Sequence, residues 1–133
     1  DYHSQNEPCL YGWKEGSGRV RVKDRKQTTV WKCDRTDEKK VHPTMKPVEL
    51  CQRAVENSSD VNGIVLDLFG GSGSTLIACE KTARDCRMME LDPKYCDVIV
   101  KRWQDFTGQT ATLEGDGRTF AELTPERTNA VAA

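Results

Sequence analysis

The feature that most constrains this chain is the run Ile64-Val-Leu-Asp-Leu-Phe-Gly-Gly-Ser-Gly-Ser-Thr-Leu-Ile-Ala78. An apolar segment reaches an aspartate, breaks on glycines and resumes with helix-forming residues, which predicts strand, tight turn and helix. A buried strand ending at Asp67 and followed by Gly70, Gly71 and Gly73 lets the backbone approach a ligand that side chains would exclude elsewhere. A helix beginning near Ser72 or Ser74 points its unpaired N–H groups into the same space. The pattern is that of a nucleotide-type binding site.

The details of the turn narrow the ligand. A phosphate-cradling loop needs Gly, four residues and Gly-Lys-Ser/Thr, and no lysine follows these glycines before Lys81. The dinucleotide fingerprint Gly-x-Gly-x-x-Gly starts at Gly71 and Gly73 but meets Leu76 where its third glycine belongs, which weakens a hydride-transfer cofactor. A second strand is expected over Asp85-Cys-Arg-Met-Met-Glu-Leu91. It brings Glu90, 17 residues past Gly73, to where a carboxylate accepts hydrogen bonds from ribose hydroxyls. Adenosine ribose fits this reading better than pyrophosphate.

Three segments in this order carry a family resemblance: His42-Pro-Thr-Met-Lys-Pro47, Asp67-Leu-Phe-Gly-Gly-Ser-Gly-Ser-Thr75 and Met89-Glu-Leu-Asp-Pro-Lys-Tyr95. Together they resemble the C-terminal part of the DNA amino-methyltransferases, enzymes that use S-adenosylmethionine to methylate the exocyclic amino group of adenine or cytosine. The subgroup resembled places its catalytic half earlier in the polypeptide, and the resemblance runs from Glu7 to Leu123. It implies an α/β chain with a partial Rossmann-like methyltransferase fold and a β-ribbon at the N-terminal side. Residues 1–40 then form the ribbon and target-recognition segment, 41–110 the S-adenosylmethionine-binding region, and 111–133 a short, partly flexible extension. The resemblance puts Asp67, Phe69, Gly71 and Gly73 around the methionine and sulfonium portion of the cofactor and Glu90 on its ribose. Thr44 and Lys46 approach the methionine carboxylate, a role that a hydroxyl donor and an ammonium suit. Pro47 opens the next helix. DNA is the implied partner, and a restriction-modification or phage-related setting the implied context.

One family element is missing. These enzymes carry an Asp/Asn/Ser-Pro-Pro-aromatic tetrapeptide whose first side chain and backbone carbonyl hold the target amino group while the ring stacks on the extruded base. This chain contains no Pro-Pro. Asp92-Pro-Lys-Tyr95 imitates the motif, but Asp92 as N-cap and Pro93 at the first helical position explain it better. No residue of this chain is therefore assigned a catalytic role, and the chain alone is expected to have no turnover. In the resembled fold the missing strands lie between the cofactor strands and the ribbon, so their absence leaves apolar edges, and self-association or a retained catalytic half is expected.

Composition is that of an ordinary intracellular domain. At 133 residues, 36% hydrophobic and 31% charged, the chain supports one modest core beneath a well-solvated surface. The net charge of −1 conceals a basic stretch at Arg19, Arg21, Lys23, Arg25 and Lys26, which is placed to follow a phosphate backbone or to be a solvated ribbon face. The six cysteines Cys9, Cys33, Cys51, Cys79, Cys86 and Cys96 include no Cys-x-x-Cys pair and form no ligand cluster with His3 or His42, so neither a disulfide framework nor a metal site is expected. Cys51, Cys79 and Cys96 fall in helical apolar patterns as small buried hydrophobes. Reduced thiols and a cytoplasmic location follow, with no apolar run of membrane-spanning length. The start at Asp1 lacks signal-peptide character and reads as a recombinant or cleaved end.

Local patterns complete the expectations. Pro8–Trp13, Arg19–Lys23 and Thr28–Lys32 read as short strands, with Glu15-Gly-Ser-Gly18 as a turn. Trp13 and Trp31 are either strand anchors or base-stacking groups. Pro47–Glu56 carries Val48, Cys51, Ala54 and Val55 at one-sided helical spacing, and Asn57-Ser-Ser59 ends it. Tyr95, Val98, Ile99, Trp103 and Phe106 form a core stripe on a helix opened by Pro93 and stopped by Gly108. A short strand is expected near Ala111–Leu113, and fraying from Thr124 onward. His42 reads as a loop residue beside Pro43 rather than a base. Three other functional classes remain: a DNA-binding module without cofactor, a methyltransferase fragment acting on RNA or a small molecule, and, lowest, a nicotinamide-dependent dehydrogenase.

Overall fold

The computed structural model describes residues 6–18, 22, 24, 26–33 and 45–131. Helix α1 (Val48–Ser58) precedes strand β1 (Ile64–Asp67), helix α2 (Ser74–Thr82), strand β2 (Asp85–Met88), helix α3 (Pro93–Thr107) and helix α4 (Phe120–Val131). The two strands pair in parallel, Ile64 opposite Asp85 and Asp67 opposite Met88. Two bonds carry the ladder one step further, because Met89 N–H reaches Asp67 O at 2.9 Å and Gly70 N–H reaches Met89 O at 2.9 Å. This is one βαβ unit, and α2 is its crossover.

The core lies between α1 and α2. Val48, Ile77 and Ala78 are buried together with Cys51 packed against them, and each fully buried Val or Ile contributes roughly 1.5–3 kcal/mol. Alternation along the strands turns Val65, Asp67, Cys86 and Met88 to one face, where each is partly covered. Ile64 and Leu66 stand 68% and 63% exposed on the other face. The sheet is thus covered on one side and open on the other.

The boundaries follow local chemistry. Pro47 stands at the N-cap of α1, and Ser59 closes the helix through its N–H and hydroxyl to Val55 O. Arg84, almost fully buried, donates to Ser59 O, Ser59 Oγ and Thr82 O, so it fastens the end of α1 to the α2–β2 turn. Asp92 caps α3 by accepting from Lys94 N–H at 2.9 Å, with Pro93 beside it, and Gly108 ends the helix at φ +70°.

Several expectations are corrected. Residues 8–13 and 28–32 form no strand, and among the described residues no neighbouring segment hydrogen-bonds either into a ladder. Leu10 is 98% exposed, and Trp13 leans on Tyr11 with ring centroids 5.8 Å apart. Residues 28–32 instead lie against α1. Arg53 sits 4.6 Å over the Trp31 ring, and Gln27 exchanges amide hydrogen bonds with Asn57 at 2.9 and 2.8 Å. Of the α3 stripe only Ile99 is buried, whereas Phe106 is 49% exposed. The extended segment near Ala111–Leu113 reduces to a single antiparallel bridge, Thr112 to Thr119. The segment from Thr124 to Val131 is helical. Its helix opens on a capping box in which Glu122 Oε2 accepts from Thr119 N–H and Oγ1, both at 2.7 Å, while Glu122 N–H returns to Thr119 Oγ1. Arg19–Lys23 falls almost wholly outside the described residues.

Candidate functional site

The site is built where β1 and β2 end side by side. Asp67 closes the first strand, and its Oδ1 accepts from Phe69 N–H at 3.0 Å, an Asx turn that lifts the chain out of the sheet. Gly70, Gly71 and Gly73 then reverse it into α2, and Gly73 N–H returns to Gly70 O at 2.8 Å.

The three glycines serve different needs. A Cβ on Gly70 would lie 2.6 Å from Met88 Sδ and 3.0 Å from Ile99 Cδ1, so this residue lets the turn sit down on β2 and α3. Gly73 takes φ +79°, and a Cβ there would lie 3.3 Å from the Ile99 side chain. Gly71, at φ +54°, faces open space, the nearest atom to a Cβ there being Phe69 O at 4.0 Å. Of the three, only Gly71 therefore has open space on its Cβ side, and α2 begins just after it with no side-chain cap.

Glu90 joins the turn from two residues past the end of β2. Its Oε2 accepts from Gly71 N–H at 2.7 Å and its Oε1 from Asp92 N–H at 2.9 Å. The amides of Asp92, then Gly71, hold this carboxyl below the ordinary carboxylate range. Each oxygen has a further lone pair, so the ionised group retains acceptor capacity for hydroxyls. Phe69, 88% exposed, stands at the mouth of the turn.

Asp67, Phe69, Gly71, Gly73 and Glu90 thus converge on one end of the sheet. Lys46 reaches this region through its backbone, where its carbonyl accepts from Ser74 Oγ at 2.7 Å. Its ammonium pairs with Glu7 Oε2 at 3.0 Å on the surface. Thr44, Arg19, Arg21, Lys23 and Arg25 lie outside the described residues. Lys26 is exposed at a turn in which its N–H meets Asp24 Oδ1, remote in sequence from the glycines.

Sequence reasoning missed the support behind the turn. Arg102 of α3 donates from Nη1 to Ser72 O at 2.9 Å and lies 3.3 Å from both Ser72 Oγ and Ser74 Oγ. Both serines are buried. No local signal marks Arg102, because its partners lie 28 and 30 residues away. On the far side of the loop, Arg102, Val48, Ile77, Lys81, Asp105 and Phe106 line an open cleft.

Comparison with known proteins shows the family and the fold. The N6_N4_Mtase family model, described as DNA methylase, matches residues 4–101. The Type II methyltransferase M.HinfI of Haemophilus influenzae is 33% identical over 98 residues, which are 74% of this chain and 24% of that protein. M.Cfr9I of Citrobacter freundii, also a Type II methyltransferase, is 32% identical over 80 residues, 60% of this chain and 27% of its own length. Among solved structures, that of an M1.HpyAVI–SAM complex superimposes with a TM-score of 0.58 at 28% identity, covering 68% of this chain and 46% of the other. The chain spans about a quarter to a third of the length of the curated relatives it matches.

Proposed function

Because the chain belongs to the DNA methylase family, whose model spans residues 4–101, we propose that it forms the cofactor-binding part of an S-adenosylmethionine-dependent DNA amino-methyltransferase. The observation that carries this reading is the junction of Gly71 with Glu90 at the ends of two parallel strands, where open backbone and an ionised acceptor face one space. It suits a nucleoside with hydroxyls to bind and no pyrophosphate to neutralise. The neighbouring M1.HpyAVI structure is a complex with SAM, which supports the same choice here.

In this proposal Glu90 accepts the ribose hydroxyls, and Asp67 with the amides of the turn lines the remainder of the ligand. The bound cofactor supplies an electrophilic methyl carbon, so the transfer is governed chiefly by positioning. Phe69 offers an apolar face beside the turn, and Gly71 and Gly73 keep side chains out of the way. Lys46, exchanging Glu7 for the ligand carboxylate, and Thr44 beside it would neutralise the amino-acid end.

DNA is the proposed substrate, with Arg19, Arg21, Lys23, Arg25 and Lys26 proposed to track its phosphates. The Type II relatives favour a restriction-modification setting, and a cytoplasmic location is proposed with it. No helix among the described residues is long and apolar enough to cross a membrane. The acceptors that would hold the target amine have no counterpart here, since the chain contains no Pro-Pro pair. We therefore propose that the chain alone does not turn over, and that a catalytic half or a second copy covers the open sheet face of Ile64 and Leu66.

Calorimetric titration with S-adenosylmethionine and with its demethylated product tests the reading. Binding by the wild type, weakened by Asp67→Ala and by Glu90→Ala, is the expected result. Absence of binding by a folded chain would overturn it.

A further inference from the structure

Arg102 is the group that joins α3 to both ligand-facing segments, and we propose that it is a positioning residue for the cofactor turn. Its guanidinium meets Ser72 O at 2.9 Å and the hydroxyls of Ser72 and Ser74 at 3.3 Å. Ser74 Oγ in turn donates to Lys46 O at 2.7 Å. One continuous polar chain therefore runs from α3, through the first residue of α2, to the segment preceding α1. It ties the glycine turn and the Lys46 segment to the same rigid helix, although they are separated in sequence by more than a helix and a strand.

The chemistry of the side chain suits this work. The three contacts all come from Nη1, whose two N–H bonds are shared between the carbonyl and the two hydroxyls, and the guanidinium remains charged. The acceptors need it, because Ser72 and Ser74 are 7% and 5% exposed and have little access to water as a substitute. The turn is bonded to β1, to Met89 and to Glu90 through Phe69, Gly70 and Gly71, and none of these bonds reaches the Ser72 carbonyl. Gly71 and Gly73 are its most permissive residues, and α2 has no side-chain cap. Glu90 holds the turn from the sheet side, and Arg102 holds it from behind. With both in place, the amides at the start of α2 are fixed before any ligand arrives, which lowers the ordering cost of binding.

The inference takes its ligand from the reading under Proposed function, but its structural part is separable. The full chain is compared with Arg102→Ala, Arg102→Lys, Ser74→Ala and the Arg102→Ala/Ser74→Ala pair. Amide hydrogen exchange of Gly71 and Gly73 is measured against that of Val55 in α1, and affinity for S-adenosylmethionine by calorimetry. Loss of a charged hydrogen bond to buried acceptors predicts exchange about tenfold faster at the two glycines, with Val55 unchanged, and affinity about tenfold weaker. Lysine keeps the charge but not the planar donor geometry, and restores part of each effect. The double variant loses less than the sum of the single losses, because both substitutions break the same chain of contacts. Equal acceleration at Val55 and the glycines, no acceleration at all, or additive losses in the double variant would overturn the proposal. If Arg102→Ala does not fold, Arg102→Lys and Ser74→Ala read the same two quantities. If the wild type binds no S-adenosylmethionine, the functional reading fails by itself and the exchange comparison still decides the role of Arg102.

Discussion

The backbone amide of Gly71 donates to Oε2 of Glu90 across 2.7 Å, so the turn after β1 is bonded to the segment after β2 beside the bond from Gly70 N–H to Met89 O. The same carboxylate holds Asp92 N–H with its other oxygen, at 2.9 Å, and thereby also sets the start of α3. Glu90 thus fixes the glycine turn and the start of α3 relative to one another.

This double engagement gives Glu90 a defined pH signature. The amides of Asp92 and Gly71 depress the folded-state value below the ordinary 4.5. The contribution is present above the unfolded value and is lost as pH falls through the lower folded one. An NMR titration of the Glu90 carboxyl is expected to give a midpoint below 4.5, with Gly71 and Asp92 amide shifts moving in step. A midpoint at or above that value would contradict the bonded geometry.

The glycines separate by substitution. Gly70→Ala places a Cβ against Met88 Sδ and Ile99 Cδ1, and is expected to destabilise by about 1–3 kcal/mol in denaturant melts. Gly71→Ala meets no neighbour and carries only the left-handed backbone cost, about 1–2 kcal/mol. The ligand reading adds that Gly71→Ala weakens binding more than its stability cost explains, whereas Gly70→Ala acts on binding only through stability. Calorimetry beside the melts separates the two, and a binding loss at Gly71 no larger than its stability cost would refute the division of roles.

The open sheet face predicts a different response. Leu66 is 63% exposed, so Leu66→Ser is expected to change the thermal midpoint little while reducing self-association in sedimentation velocity. A large loss of stability with unchanged association would mean that Leu66 packs inside the isolated chain.

Thiol chemistry tests the covered face. Burial, with Cys79 alongside, pushes the Cys86 thiol up to about 12, and burial also raises Cys79 and Cys51. Few thiolates are then present near neutrality. Alkylation mapped by mass spectrometry should modify exposed Cys9 first and Cys79 and Cys86 last. Early modification of Cys86 would show that this side of β2 is not covered.

The legible and illegible parts of the molecule differ in the range of the interactions that encode them. β1, the glycine turn, α2, β2 and the caps of α3 at Asp92 and Gly108 each rest on residues a few positions apart and stand where the sequence pattern puts them, except that β2 ends at Met88 rather than Leu91 and that β1, expected buried, leaves Ile64 and Leu66 exposed. Thr119-x-x-Glu122 carried an equally local signal for α4 that was open to reading. Arg102 on Ser72, Arg84 on Ser59 and Arg53 over Trp31 join positions more than 20 residues apart, and no periodicity announces them. The strands expected at 8–13 and 28–32 had suitable residues but no partner among the described residues to complete a ladder, which a strand requires and a short sequence window does not contain.

The functional reading of this chain depends on an S-adenosyl ligand seated where the turn after β1 meets Glu90, and a heteronuclear NMR titration of the labelled chain with S-adenosylmethionine reads that directly. Saturable shifts are expected at the amides from Phe69 to Ser74 and from Glu90 to Asp92, with α4 unmoved and the shifts abolished by Glu90→Ala. Saturable shifts centred elsewhere, or none in a spectrum that shows a folded chain, would contradict it.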